Sequence, residues 1–194
     1  YYDPNPSDTG VELRILEKIC DPLAEGEGDP RGLSNQYAVI SKLYKLFCSP
    51  LPSQVKGAVL KAMASFIISK VSAYEIAYAY LGSEESIFPS IEGVKRDLVN
   101  QEMNEKTYPE LRGFLKVLVA IFEQTGGARP PDAYSKRCKF EPYLYFLVDD
   151  VLLKFDETDG GLSYNYSHEK WLIVEDVLKI FAIILRQYAH DCSH

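Results

Sequence analysis

The chain has 194 residues, of which 46% are hydrophobic, and a net charge of −7 at pH 7. This hydrophobic fraction is ordinary for a folded protein, so it excludes disorder as the dominant state. Lys and Arg are scattered among an excess of carboxylates, which excludes the basic face of a strong nucleic-acid binder. No apolar run approaches the roughly 20 residues of a membrane-spanning helix, so direct membrane insertion is not expected.

The chain opens with Tyr1-Tyr2-Asp3-Pro4, without Met and without a charged-then-apolar secretory leader. We therefore expect a fragment of a longer protein, although processing would leave the same start. The four cysteines lie far apart and form no Cys-x-x-Cys pair; they are Cys20, Cys48, Cys138 and Cys192. This spacing favours small buried thiols in a reducing compartment over a disulfide framework or a zinc site.

The first half of the chain repeats the 3.6-residue period of amphipathic helices. Four helices are predicted there: Val11 to Ile19, Leu33 to Phe47, Val55 to Ile67 and Ser72 to Leu81. Pro50 and Pro52 stop the second of these helices, because proline cannot continue a helical hydrogen-bond ladder. Ser53 is placed to cap the third helix.

The second half continues the same period. Its four predicted helices begin near Ile91, at Pro109, at Glu141 and at Ser167, and the last one runs to about His190. Thr107 and Glu110 have the spacing of a capping box, with Pro109 in the first turn. Apolar residues surround most of the last helix, which predicts burial between neighbouring helices rather than on one side.

This order of elements predicts an all-α fold, since no stretch shows the sustained two-residue alternation of a strand. About eight helices, joined mostly by short turns, recur at the roughly 30-to-50-residue spacing of HEAT-like helix pairs. We predict an irregular α-solenoid of HEAT- and armadillo-like pairs that occupies residues 1–194 as a single segment. A closed globular bundle is the alternative.

No signature of catalysis is present. The chain lacks the Walker A, nucleophile-elbow and H-E-x-x-H patterns, and its three histidines supply no evident base beside a nucleophile. The acidic turn Asp156 to Gly161 lacks the ligand spacing of an EF-hand, and His190, Cys192 and His194 fit a frayed chain end better than a metal site. We predict no enzyme, cofactor or metal, and an active site assembled from distant residues is the alternative.

Aromatic side chains are the candidates for partner binding. Most of the 14 Tyr and 9 Phe residues are expected in the core. Phe88, Phe140 and Trp171 fall in loops or at a helix start, where an exposed ring can anchor a partner segment. Phe181 joins them because it lies on the last helix, whose second apolar side would line a groove. Burial in the core is the alternative for each of them.

Several short motifs follow one another in a fixed order along the chain. They are Leu46-Phe47-Cys48-Ser49-Pro50-Leu51-Pro52, Thr107-Tyr108-Pro109, Arg129-Pro130-Pro131, Glu141-Pro142-Tyr143-Leu144-Tyr145-Phe146-Leu147 and Glu169-Lys170-Trp171. In their order and spacing they resemble the middle of the N-terminal half of the large inner-ring scaffold nucleoporins. The sister scaffold nucleoporin of related architecture is similar as well. The connection from Asp132 to Phe140 is longer than the family's usual link.

The resemblance implies an α-solenoid with a structural role in the nuclear pore complex, at the nuclear envelope. It implies that linker nucleoporins of the inner ring bind through short linear segments and that channel nucleoporins associate. No linker-contact motif transfers to individual residues of this chain. The alternative is a transport-receptor-like or other peptide-binding solenoid, which predicts a concave acidic groove for a basic peptide.

Overall fold

The computed structural model describes residues 33–69, 90–125, 141–155 and 161–191. Within these ranges every regular element is helical and no strand occurs, so the all-α prediction is confirmed there. The predicted helices Val11 to Ile19 and Ser72 to Leu81 lie outside the described residues, as do Phe88, Phe140, the acidic turn Asp156 to Gly160, and the side chains of His190, Cys192 and His194.

Six helices make up the described part of the chain. Helix α1 is Leu33–Phe47, α2 is Ser53–Ser69, and α4 is Pro109–Thr125. Helix α3 runs from Ile91–Asp97 through a π-helical stretch, Leu98–Glu102, to Met103–Glu105. Helix α5 covers 141–145 and continues as a π-helix over Phe146–Leu152, and α6 is Ser167–Asp191. The predicted bounds of α1 and the predicted starts of α3, α4 and α6 are confirmed.

The main helix contacts follow the order of the chain. Helix α1 packs on α2, α2 packs most extensively on α4, and α4 packs on α6. Among the described residues, three ion pairs also join α4 to α6. Lys116 Nζ lies 2.7 Å from Asp176 Oδ1, Lys179 Nζ lies 2.6 Å from Glu123 Oε1, and Arg112 Nη1 lies 3.8 Å from Glu169 Oε1. Helix α4 therefore lies at the centre of the described packing, with α2 and α6 as its principal neighbours.

Two glycines allow α2 and α4 to approach closely. A Cβ added at Gly57 of α2 would overlap the carbonyl of Pro109 at the start of α4. A Cβ at Gly113, one turn further along α4, would lie 2.6 Å from Gly57 O and 2.8 Å from Leu60 Cβ. Because these obstacles include rigid backbone, the contact requires glycine on both helices.

The start of α4 is capped by a residue that the sequence interpretation did not select. The buried carboxylate of Glu102 accepts hydrogen bonds from the N–H groups of Glu110, at 2.6 Å, and Leu111, at 3.2 Å. The predicted capping box of Thr107 and Glu110 is therefore wrong. Glu102 from the end of α3 supplies the carboxylate instead, because a tight turn brings that helix end beside the first N–H groups of α4.

That turn is closed at Lys106, which adopts the left-handed conformation with a φ of 54°. Asn165, in the segment before α6, holds the turn from the other side. Its N–H donates to Lys106 O at 3.0 Å, and its side-chain amide donates to Glu105 O at 2.8 Å. These bonds satisfy carbonyls that the helix end leaves without intrahelical partners.

Ser53 is not the cap of α2. The helix already includes Ser53, and it is the carbonyl of Pro52 that accepts from the N–H groups of Val55 and Lys56, at 3.0 and 3.1 Å. The Ser53 side chain is buried, and its hydroxyl has no hydrogen-bond partner among the described residues. The capping prediction fails because the side chain is turned into the protein rather than toward the free N–H groups.

The other predictions about burial have mixed outcomes. Cys48 is a free, exposed thiol, so the predicted burial of the cysteines is wrong at this position, which follows the C-terminus of α1. The other three cysteines lie outside the residues whose side chains are described. None of the described helices combines the length and the apolar character that a bilayer-spanning helix requires.

Candidate partner-binding site

Helix α6 has one buried side and one exposed apolar side. Ile173, Val177 and Ile180 are fully buried in the core. Trp171, Leu178 and Leu185, by contrast, are 62%, 56% and 67% exposed. Within the described part of the chain, α4 and the end of α5 cover only one side of this helix, and the predicted burial of its second side stays a prediction.

The exposed apolar residues of α6 form a continuous row. Trp171, Leu178 and Leu185 follow at seven-residue steps, which place them on the same face because two helical turns contain 7.2 residues. Val174 and Phe181 are half-buried and lie between them at the intermediate steps. We call these five residues the α6 stripe. Their positions have the a and d spacing of a helix that packs against another helix.

Trp171 is held in place although most of its surface is exposed. Its ring meets the ring of Phe155, three residues after α5, edge to face with a centroid separation of 5.7 Å. The Lys170 ammonium group lies 4.2 Å from the centroid of the same Phe155 ring. These contacts restrict the indole before any partner arrives, which lowers the entropic cost of using it as an anchor.

Phe181 has a divided role in this structure. It is half-buried and packs against the edge of the hydrophobic core. The same residue continues the α6 stripe between Leu178 and Leu185. Of the two alternatives, core or surface, Trp171 is thus placed at the surface, and Phe181 lies on the boundary between them.

A shallow depression borders the N-terminal half of the stripe. It is lined by His168, Trp171, Leu172 and Glu175. Glu175 is exposed, and no cationic side chain among the described residues pairs with it. Lys179, one turn further along, is already bound to Glu123 of α4. The depression therefore combines an aromatic wall with an uncompensated carboxylate.

A second apolar depression lies on α5 and is lined by Glu141, Leu144, Tyr145, Val148 and Asp149. Tyr145 is 60% exposed, and its hydroxyl donates to Glu141 at 3.2 Å. The sequence analysis did not select Tyr145 as a candidate for partner binding. The π-helical stretch of α5 begins after Tyr145 and contains the buried side chains of Phe146, Leu147 and Val151.

The largest group of buried charges lies at the start of α4 and serves the fold. Lys56 Nζ is 2.5 Å from Asp97 Oδ2 and 3.8 Å from Glu110 Oε2. Glu169 accepts from the N–H of Tyr108 at 3.1 Å. Burial raises the pKa of Glu102 to about 8 and that of Glu110 to about 7, although Lys56 opposes the rise at Glu110.

The hydrogen bonds of these buried carboxylates go to the backbone at the start of α4. Among the described residues no three His, Cys, Asp or Glu side chains are arranged to hold a metal ion. The group cross-links the ends of α3, α4 and α6, and Glu102 uses both oxygens to cap a helix. The geometry is that of a structural hydrogen-bond network.

Comparisons with known proteins give one informative similarity. No protein-family model matches the chain, and no solved structure matches it. The chain is 31% identical over 166 residues to the nuclear pore complex protein Nup205 of Homo sapiens. The similar region is 77% of this chain but only 8% of the human protein. Over most of its length the chain is therefore similar to a small part of a much longer nuclear pore complex protein.

Proposed function

We propose that the chain is part of a scaffold subunit of the nuclear pore complex inner ring. The similarity to Nup205 over 77% of the chain carries this proposal. The all-helical character of the described residues and the ordered motifs from Leu46 to Trp171 support it. In this role the chain acts at the nuclear envelope, performs no catalysis and belongs to a longer α-solenoid.

The partners that we propose are the linker nucleoporins, which would bind through short segments, together with the channel nucleoporins of the inner ring. The α6 stripe supports a binding role, since its exposed indole, held by Phe155, is the kind of anchor that dominates protein interfaces. Phe88 and Phe140 remain candidates from the sequence alone.

The test is affinity capture with the full chain from a nuclear-envelope extract, followed by mass spectrometry. Recovery of inner-ring linker nucleoporins would support the scaffold role. Recovery of soluble cargo together with a small GTPase would show instead a transport-receptor-like solenoid, which the net charge of −7 also permits. A chain with Leu153→Ser, a change at a 73% exposed residue outside the α6 stripe, is the control for non-specific apolar binding.

A further inference from the structure

We propose that the α6 stripe receives a single amphipathic helix of a partner protein, with a Lys or Arg of that helix placed against Glu175. This deepens the proposed partner-binding role and rests on it. The shape of the stripe, its area and the charges beside it each contribute to the identification of the occupant.

The seven-residue spacing of the α6 stripe favours a helical partner. Apolar side chains at seven-residue steps, with a further apolar side chain three or four residues after each, form the seam into which the side chains of a second helix insert. Trp171, Leu178 and Leu185 supply the exposed positions, and Val174 and Phe181 supply the half-buried ones. An extended peptide places alternate side chains on opposite faces, so it would match this seam at few positions.

The small area of the stripe favours a slender partner, such as a single helix, over a globular protein. From Trp171 to Leu185 a helix rises about 21 Å, and with a width of about 10 Å its exposed face covers roughly 200 Å². A stable interface between two globular proteins buries about 800 Å² on each side. A second copy of this chain that met it through α6 alone would therefore be too weakly held. A separate helix buries no more than this area, so its binding is expected to be weak and reversible, but its apolar face has the same width and length as the stripe.

The charges beside the stripe favour a partner that places a basic side chain near the N-terminal half of the stripe. Glu175 has no cationic partner among the described residues, while Lys179 is bound to Glu123 and Lys170 lies over Phe155. A Lys or Arg placed here would meet the Glu175 carboxylate and the neighbouring face of the Trp171 indole, which attracts cations. Near the other end, Arg186 is exposed and has no anionic partner in the described part of the chain.

Glu175 and Arg186 are separated by eleven residues, which is about 16 Å along the helix axis. A partner helix with a basic residue and an acidic residue at this separation is complementary to both. One charge of each sign at the two ends gives the bound helix a defined direction, because the reversed helix would place like charges together. The apolar seam supplies affinity, and the charges supply specificity.

The experiment uses the full chain and two synthetic helical peptides without Trp. Both peptides carry the same Leu seam at heptad spacing and a Glu at the position that faces Arg186. At the position that faces Glu175, one has Lys (the Lys peptide) and the other has Glu (the Glu peptide). The chain contains one Trp, so its emission reports directly on Trp171. We expect the Lys peptide to shift this emission to shorter wavelength in a saturable titration and to bind several-fold more tightly than the Glu peptide.

Three variants test the site. Leu178→Ser should weaken binding of the Lys peptide at least tenfold, since a central apolar contact is worth more than about 1.4 kcal/mol. Val99→Ser, at a similarly exposed apolar position on α3, is the matched control and should bind as the unmodified chain does. Glu175→Lys should reverse the preference, so that the Glu peptide binds better. Circular dichroism checks that each variant is folded.

The proposal is overturned if the Lys peptide does not bind, if Val99→Ser weakens it as much as Leu178→Ser does, or if Glu175→Lys leaves the peptide preference unchanged. A concentration-dependent dimer that Leu178→Ser abolishes would also overturn it, because the occupant would be a second copy. The two proposals fail separately. If the Leu178→Ser variant captured linker nucleoporins as well as the unmodified chain does, the α6 stripe would be rejected as the site and the proposed scaffold function would stand. If the chain bound the peptide but captured no linker nucleoporins, the site would stand and the proposed function would be rejected.

Discussion

Glu102 and Glu110 are buried carboxyl groups that face one another across the start of α4. The two Glu102 oxygens hold the first N–H groups of that helix, while the two Glu110 oxygens have no hydrogen-bond partner among the described residues. Lys56 and Asp97 lie on one side of Glu110, and Glu169 lies near Glu102. Desolvation outweighs the favourable contacts, and the pKa values rise to about 8 and about 7.

These raised pKa values predict that stability decreases with increasing pH. In the unfolded chain both carboxyls titrate near 4.5, so between pH 4.5 and about 8 the folded state binds more protons than the unfolded state. Each group then contributes stability at the acidic end of this window that is lost as the pH rises through its folded pKa. The slope is at most about 1.4 kcal/mol per pH unit for each carboxyl.

The measurement is the free energy of unfolding from urea titrations at pH 6 and pH 8.5. Glu102→Gln and Glu110→Gln should each reduce the decrease between these two values, because the amide cannot ionise. Glu141→Gln removes a charge from an exposed residue and should leave the decrease unchanged. If the free energy of unfolding decreased equally between the two pH values in the unmodified chain and in all three variants, the role assigned to the two buried carboxyls would be refuted.

At the level of the helices, local sequence signals predict the positions of the helices well. They predict less well which groups form hydrogen bonds with the free N–H and C=O groups at the helix ends. Leu33–Phe47 agrees with the sequence prediction at both ends, because apolar periodicity and the following prolines are local signals. The cap of α4 does not agree, because the carboxylate of Glu102 arrives from the preceding helix through a turn that depends on Lys106 and Asn165. The π-helical parts of α3 and α5 also leave no periodic signature.

The close contact of α2 and α4 predicts a large effect of a small substitution. Gly57→Ala would drive a methyl group into the backbone of Pro109, and backbone at a helix start cannot move aside easily. We expect a loss of about 1–3 kcal/mol, the usual cost of overpacking. Gly93→Ala is the matched control, because its new methyl would meet only the Ser90 side chain, at 3.1 Å. Thermal unfolding measures both, and a larger decrease in melting temperature for Gly93→Ala would contradict this account.

Across the whole molecule, the candidate site shows how far sequence reasoning extends. The apolar circumference of α6 predicted that this helix has more than one contact side, and Trp171 was selected because it lies near a helix start. The sequence does not state which side α4 covers, since that depends on how α4 is positioned by α2. Glu175 was missed for the same reason: its lack of a partner follows from the ion pair that Lys179 makes with Glu123.

The order of contacts predicts how instability spreads through the molecule. Helices α1, α2, α4 and α6 contact one another in this order, a pattern that the nearest-neighbour contacts of the proposed solenoid would also produce. Leu43→Ala, in the fully buried face of α1, should cost about 2–5 kcal/mol. In a solenoid this loss loosens α1 and α2 first and leaves α6 protected. Ile180→Ala, in the buried face of α6, should do the opposite.

Hydrogen–deuterium exchange with mass spectrometry separates the two architectures, because local opening is measured helix by helix. We expect Leu43→Ala to accelerate amide exchange in α1 and α2, and Ile180→Ala to accelerate it in α6 and α4. A closed bundle shares one core, so either substitution would accelerate exchange in every helix by a similar factor. That uniform result would reject the solenoid, since each helix would then depend on all the others rather than on its neighbours along the chain.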